Sequence, residues 1–207
     1  MTKVPGIILA GGLSSRMGGG DKALLPLGDS TLLAHVIARL APQTDGLALN
    51  ANGDPARFSA YGLPVIADSI DGFAGPLAGV LAGLDWAAAQ GASQIVTAAA
   101  DTPFFPSDLV ARLAAVAAPS GLAMAVTPDP ERGRARHPTF GLWPVALRDD
   151  LRAALQGGLR KIVLWTEGHG CGFAEFPTRP HDPFFNVNTP QDLERARAIA
   201  AGQEAAK

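Results

Sequence analysis

Residues 7–10 form an apolar run, Ile7-Ile8-Leu9-Ala10, that breaks into a glycine-rich passage, Gly11-Gly12-Leu13-Ser14-Ser15-Arg16-Met17-Gly18-Gly19-Gly20-Asp21-Lys22. Glycines directly after a buried strand let the backbone approach a ligand without an intervening Cβ and permit positive φ at a turn. Exposed backbone N–H groups, the Arg16 guanidinium and the Lys22 ammonium can then surround one anion. Arg16 forks two phosphate oxygens while Lys22 acts as a compact point charge. That set suits a nucleoside triphosphate. The spacing excludes two common nucleotide loops. A P-loop requires G-x-x-x-x-G-K-[ST], but Lys22 follows Asp21 and precedes Ala23, so no hydroxyl is placed for a metal. A dinucleotide fingerprint requires G-x-G-x-x-G at the start of a helix, and here the glycines stand as Gly11-Gly12 and Gly18-Gly19-Gly20 around a basic residue.

The elements that must hold this loop alternate between short apolar runs and amphipathic stretches, the pattern of a mostly parallel sheet in a three-layer, doubly wound α/β fold. Strands are predicted over residues 6–10, 46–51, 64–67, 93–100, 122–127, 139–143 and 171–176. A first helix is capped by Asp29 or Ser30 and carries Leu32, Leu33, Val36, Ile37 and Leu40 on one face. Pro76 opens a second helix that runs to about residue 90, Pro106 or Ser107 a third, and further helices cover 146–156, 159–167 and 189–200. The arginine-rich stretch 128–137 is expected to be an exposed connection.

In such a sheet, ligands bind beyond the carboxyl ends of the strands where strand order reverses. Four predicted strand ends carry the interesting residues: Gly11 and Gly12, Asn50 and Asn52, Asp68, and Asp101. Asp101 is the best candidate to hold Mg2+ against phosphate oxygens with water completing the octahedron, though Asp101-Thr102-Pro103 would equally serve to start a helix. Asp68 can accept from a ribose hydroxyl or a base N–H, or simply close a turn. Asn186 and Asn188, two apart in an extended segment, face together as a polar wall or punctuate the helix that Thr189-Pro190 begins.

Bulk properties narrow the function. At 207 residues and 47% apolar content, one domain is expected. A formal net charge of −2 gives no global attraction for nucleic acid or an anionic membrane. The lone Cys171 makes no intramolecular disulfide, and the absence of an evident secretion signal makes the cytoplasm the expected compartment.

Taken in order, these stations resemble the molybdenum cofactor guanylyltransferase family, whose members carry an L-A-G-G-x-S-x-R-M-G-x-D-K type loop. The chain has Leu9-Ala10-Gly11-Gly12-Leu13-Ser14-Ser15-Arg16-Met17-Gly18, with wider spacing before Asp21-Lys22. The likeness continues through Asn50-Ala51-Asn52, Asp68-Ser69, Gly75-Pro76-Leu77-Ala78-Gly79, Asp101-Thr102-Pro103, His137-Pro138-Thr139 and Asn186-Val187-Asn188-Thr189-Pro190. Related cytidylyltransferases commonly carry Ala-Ala-Gly where this chain has Ala10-Gly11-Gly12.

The resemblance implies a Rossmann-like nucleotidyltransferase that moves GMP from GTP to the phosphate of molybdenum-molybdopterin and releases pyrophosphate. It implies a GTP-binding N-terminal half and a molybdopterin-binding C-terminal half. By the same carry-over, Leu9, Ala10, Gly11, Gly12, Lys22, Asn50, Asp68, Gly75, Gly79 and Asp101 meet GTP. Arg16, Lys22 and Asp101 serve catalysis, and Asp101 binds Mg2+. For the pterin, a surface of Arg136, His137, Arg160, Lys161, Asn186 and Asn188 is expected. Transient contacts with cofactor-biosynthesis proteins and recipient molybdoenzymes would accompany the reaction. A cytidylyltransferase, a sugar-phosphate nucleotidyltransferase and a noncatalytic nucleotide-binding cofactor carrier are the competing readings.

Overall fold

The computed structural model of the protein describes residues 4–11, 21–70, 75–117, 119–159 and 161–202. Strand β1 is Gly6–Leu9, and a two-residue hairpin, β2 (Pro26–Leu27) and β3 (Ser30–Thr31), leads into helix α1, Leu32–Leu40. Then follow β4 (Leu47–Asn50), β5 (Val65–Ile66), α2 (Pro76–Ala89), β6 (Gln94–Ala99) and α3 (Leu109–Val116). The remainder comprises β7 (Ala123–Asp129), β8 (Gly133–Pro144), α4 (Arg148–Gln156), α5 (Ile162–Glu167), β9 (Gly172–Glu175) and α6 (Pro190–Ala200).

Seven of these strands make one sheet in the order β5-β4-β1-β6-β8-β7-β9. β8 is antiparallel to both neighbours, and every other pairing is parallel. The expected mostly parallel sheet is therefore present, with one reversed strand inside it. Side chains alternate across it as the pleat demands. Ile8, Leu49 and Val96 pack with Leu33 and Val36 of α1 and Leu109 and Leu113 of α3. Ile7, Ala48 and Ile95 pack on the other face with Leu81 and Leu84 of α2, Leu151 of α4 and Trp165 of α5. Three layers result. A separate apolar cluster lets α6, through Leu193, Ala196 and Ile199, cover the hairpin residue Leu27 and Phe104.

α1 returns the chain to β4 on one side of β1, and α2 carries it back across β4 and β1 to β6 on the other side. Strand order thus reverses between β1 and β6, and the crevice beyond their carboxyl ends is the place for a ligand.

Three local expectations need correction. The cap of α1 is Thr31, whose Oγ1 accepts from Ala34 N at 3.1 Å, because Asp29 and Ser30 are spent on the hairpin turned by Gly28 at φ 62°. α3 begins at Leu109, later than Pro106 or Ser107, and has no side-chain cap of its own. Gln43 substitutes from across the layer, its Oε1 accepting from Val110 N at 3.0 Å. The stretch 128–137 is no simple connection. Its second half pairs with β7, Ala135 opposite Thr127 and His137 opposite Ala125, because the exposed arginines alternate with smaller residues at the strand period. Only the tip turns, where Asp129 Oδ1 accepts from Glu131 N and Arg132 N and Gly133 sits at φ 77°.

Candidate active site

Lys22 lies in a short 3-10 turn, Lys22–Leu24, directly after the glycine-rich passage, and its Nζ reaches across the crevice to Asp101 Oδ2 at 2.6 Å and Asn188 Oδ1 at 2.5 Å. Asp101 follows β6 by two residues. The lysine side chain is 11% exposed and the aspartate 25%, so the pair is partly screened yet open to a ligand. An ammonium has three donors, and two are occupied here, leaving one for an incoming oxygen. The Thr102 hydroxyl lies 3.0 Å from Asp101 Oδ1 and 2.5 Å from Asn186 Oδ1, and its single proton serves one of them at a time. Val187 N donates to Asp101 O at 3.0 Å, so the segment 186–188 is stitched to the end of β6 by main chain as well as side chains. Asp101 caps no helix: α3 starts only at Leu109, which removes the alternative structural role.

The second cluster stands at the ends of β4 and β5. Asn50 is 4% exposed and donates through Nδ2 to Asp68 Oδ1 at 2.9 Å and to Ile66 O at 3.3 Å. Asn52 Nδ2 donates to Asp68 Oδ2 at 2.8 Å, and its Oδ1 accepts from Asp68 N at 2.9 Å. Asp68 is therefore clamped from both sides, each oxygen retaining acceptor capacity for another donor. Asn50, buried and with its Nδ2 donated twice, orients Asp68.

Gly79 explains itself at this point. A Cβ there would stand 2.2 Å from Asn50 Oδ1 and 2.9 Å from Leu9 Cδ2, so only glycine lets α2 approach β1 and β4 this closely. Gly75, at φ 144°, is the N-cap of α2, with Pro76 at the first helical position where a missing N–H costs nothing. Leu9 and Ala10 end β1 beside these groups, Ala10 N donating to Asn50 O at 2.8 Å and Leu9 O accepting from Ala100 N at 3.0 Å. Gly11 follows with open space where a side chain would be.

The residues expected to meet a pterin separate into two groups. His137 stacks on Phe184 with ring centroids 4.4 Å apart and lies 2.9 Å from Thr127 Oγ1, on the face that leads to Asn186 and Asn188. Burial pushes the His137 imidazole below its ordinary pKa, against the smaller opposing effect of Asp182, so it is neutral at pH 7. Arg136 points the other way, donating to Glu167 Oε1 of α5 at 2.8 Å and lying over the Phe173 ring. Lys161 is exposed immediately before α5. The structure does not bring Arg136 and Lys161 together with His137. The cause is the pleat: Arg136 and His137 are consecutive residues of β8, paired with Val126 and Ala125 in continuous register, so their side chains leave opposite faces of the sheet. Gly12, Arg16 and Arg160 lie outside the described residues.

Two contributors escape sequence reasoning. Thr102 reads as part of a turn and acquires its role only by proximity to Asn186. Arg57, a lone arginine in a polar loop, bridges Asn52 and Asp21, and no spacing signals it. Cys171 is a bystander: burial pushes its thiol up to about 11, which leaves it protonated at neutral pH.

A lone strand-end carboxylate with part-exposed oxygens fits a magnesium ion that takes its other ligands from substrate phosphates and water. Among the described residues no three His, Cys, Asp or Glu side chains gather to form an all-protein cage. No described helix is long and apolar enough to cross a membrane.

Residues 6–169 match the family model of the MobA-like NTP transferase domain. The chain is 53% identical to the molybdenum cofactor guanylyltransferase of Bradyrhizobium sp. (strain ORS 278), covering 98% of this chain and 96% of that protein. It is 56% identical to the molybdenum cofactor guanylyltransferase of Rhodopseudomonas palustris (strain HaA2), covering 95% and 92%. Among solved structures it is similar to molybdopterin-guanine dinucleotide biosynthesis protein A from Archaeoglobus fulgidus, with a TM-score of 0.72 and 24% identity over 96% of this chain and all of that one. It also resembles 2-C-methyl-D-erythritol 4-phosphate cytidylyltransferase from Thermus thermophilus, with a TM-score of 0.69 and 24% identity over 97% of this chain and 100% of that one. At these identities the structural likenesses speak for the nucleotidyltransferase fold, while the sequence relatives carry the family. The chain belongs to the MobA-like NTP transferase family.

Proposed function

We propose that this protein transfers GMP from GTP to the phosphate of molybdenum-molybdopterin, forming the guanine dinucleotide cofactor and releasing pyrophosphate. The observation that carries the reading is Lys22 Nζ held between Asp101 and Asn188 at the strand-order reversal, in a chain whose relatives of more than 50% identity are named for this activity. The acceptor phosphate is anionic near neutral pH, so its attack on the α-phosphorus needs no general base. Positioning and charge must then supply the catalysis.

Lys22 would turn its remaining N–H, and under load those now given to Asp101 and Asn188, toward the triphosphate oxygens, with Arg16 gripping the same chain of phosphates. Asp68, fixed by Asn50 and Asn52, would accept from a hydroxyl or N–H of the nucleoside. Gly11, Gly12 and Gly75 would let backbone N–H groups close on the phosphates, and Gly79 keeps α2 seated against Asn50. Mg2+, held by Asp101, would supply neutralisation of phosphate charge when bound. Asn186, Asn188 and His137 would line the acceptor side. Arg136 and Lys161, from the α5 side of β8, would meet only a more distant part of a long acceptor.

The experiment is competition between GTP and CTP with Mg2+ and molybdenum-molybdopterin, reading dinucleotide formation and pyrophosphate together. Guanine dinucleotide with stoichiometric pyrophosphate is expected. Preference for CTP would replace the guanylyl assignment, transfer to a sugar phosphate instead would replace the acceptor, and binding without pyrophosphate would leave a carrier.

A further inference from the structure

Arg57 occupies a 3-10 turn, Pro55–Tyr61, outside the crevice, and touches both of its halves. Its Nη2 donates to Asn52 O at 2.6 Å and its Nη1 to Asp54 O at 2.8 Å. The buried Nε lies 2.5 Å from Asp21 Oδ2, a charge contact off the hydrogen-bond line. The guanidinium also sits 4.7 Å over the ring of Phe58, which is itself fully buried. Gly53 is shaped around it: φ is +84°, and a Cβ would come within 3.1 Å of Arg57 Nη1.

Two of these contacts lead to different parts of the site. Asn52 holds Asp68 by two hydrogen bonds. Asp21 is the residue before Lys22, whose ammonium meets Asp101. One planar group therefore joins the carboxylate clamp at the ends of β4 and β5 to the lysine that meets Asp101 beyond the end of β6. No other described side chain joins Asn52 to Asp21.

We infer that Arg57 is a positioning residue that fixes the separation between the Asp68 clamp and Lys22, so that the nucleoside and phosphate ends of one nucleotide are engaged together. The inference rests on the nucleotidyltransferase reading above. Its chemistry follows from the fork: the guanidinium donates to two backbone carbonyls through Nη1 and Nη2 while its delocalised charge faces the Asp21 carboxylate, and an ammonium has no such geometry. With the link cut, each end keeps its own groups, but their spacing is no longer imposed. Loss of a rigid charged link of this kind lowers nucleotide affinity by about tenfold. Once a saturating nucleotide itself bridges the two ends, Lys22 and Asp68 are again held at its span and the transfer step keeps its groups.

The test is a double-mutant cycle with Arg57→Met and Asp21→Asn, plus Arg57→Lys, titrated calorimetrically with GTP and with CTP in the presence of Mg2+ and followed by steady-state transfer. Each single variant should bind the preferred nucleotide about tenfold more weakly, with the double variant no worse than the weaker single. Arg57→Lys should remain weak although it keeps the charge. At saturating nucleotide, kcat and the acceptor KM should stay within about twofold of wild type. Additive losses, wild-type affinity in Arg57→Lys, or a fall in kcat with unchanged affinity would each overturn the assignment. Should CTP prove the preferred nucleotide, the guanylyl reading fails, while the ratio between wild type and variants still decides the role of Arg57. If Arg57→Met does not fold, Arg57→Lys and Asp21→Asn give the same decision.

Discussion

At Asp101 the competing demands on one carboxylate are visible atom by atom. Oδ2 faces an ammonium at 2.6 Å, Oδ1 faces a hydroxyl at 3.0 Å, and neither helix nor sheet depends on the side chain. Replacing it by Asn should leave the circular dichroism spectrum intact and reduce transfer by at least ~100-fold, the order lost when one electrostatic partner of a transition state is removed. Turnover near wild type in a folded Asp101→Asn protein would end its assignment as the metal holder. His137 supports a different measurement. Its folded pKa lies below the ordinary value because it is buried between Phe184 and Thr127, so the unfolded chain takes up the proton first. The stability this burial carries is complete above the unfolded value, about 6.5, and is lost as pH falls toward the lower folded value. Thermal unfolding between pH 7.5 and 5.5 should therefore show a shallower pH slope in His137→Gln than in wild type. Lys22 and Asp101 are legible in the sequence because a glycine-rich strand end and a strand-terminal carboxylate are types with chemical meaning at those places. Arg57 is not, since its partners are backbone carbonyls and an aspartate far along the chain.

The elements that carry these residues are held by a few local devices. α6 begins with a capping box, Thr189 Oγ1 accepting from Asp192 N at 3.1 Å while Asp192 accepts from Thr189 N at 2.8 Å. Asp192 also accepts from Asn188 N at 2.9 Å, so the cap holds the Asn186–Asn188 wall as well as the helix. Thr189→Ala should cost about 1 kcal/mol in denaturant unfolding and should weaken acceptor binding before it affects nucleotide binding. An unchanged acceptor KM would separate the cap from the wall. Thr189-Pro190 announces this helix plainly in the sequence, because capping is local. Gly79 is legible only as a glycine in a helix; its purpose, contact with Asn50, is tertiary. Gly79→Ala drives a methyl into Asn50 and should lower stability by ~1–3 kcal/mol and weaken nucleotide binding together, as rotation of Asn50 releases Asp68. The β7–β8 hairpin reads as a loop for a related reason. Charge suggests solvent, whereas an exposed strand face accepts arginine at every second position.

Across the whole molecule, the layers follow from periodicity: Ile7 and Ile8 enter opposite clusters, as do Ala48 and Leu49, and Ile95 and Val96. The reversed strand β8 and the α6 cover over Leu27 do not follow, because pairing direction and a third apolar cluster depend on long-range packing. These late elements nonetheless complete the crevice. Asn188 arrives from just before α6, 166 residues after Lys22, and the main chain at Val187 is bonded to Asp101. A nucleotide that engages Lys22 and Asp68 therefore touches groups fixed to β1, β4, β5 and β6 and to the segment ahead of α6, and its binding must stabilise the native state as a unit. At a concentration of about 100 times Kd, the gain is ~2.7 kcal/mol. For a chain of this size that raises the thermal midpoint by roughly 5–10 °C. Scanning with GTP and Mg2+ should give that shift as one transition, and hydrogen exchange should slow at the ends of β1 and β6 and at residues 186–188 together. Asn188→Ala should reduce the shift. If protection appears at the β-strand ends while residues 186–188 exchange as before, the Lys22–Asn188 contact does not couple nucleotide binding to the acceptor side.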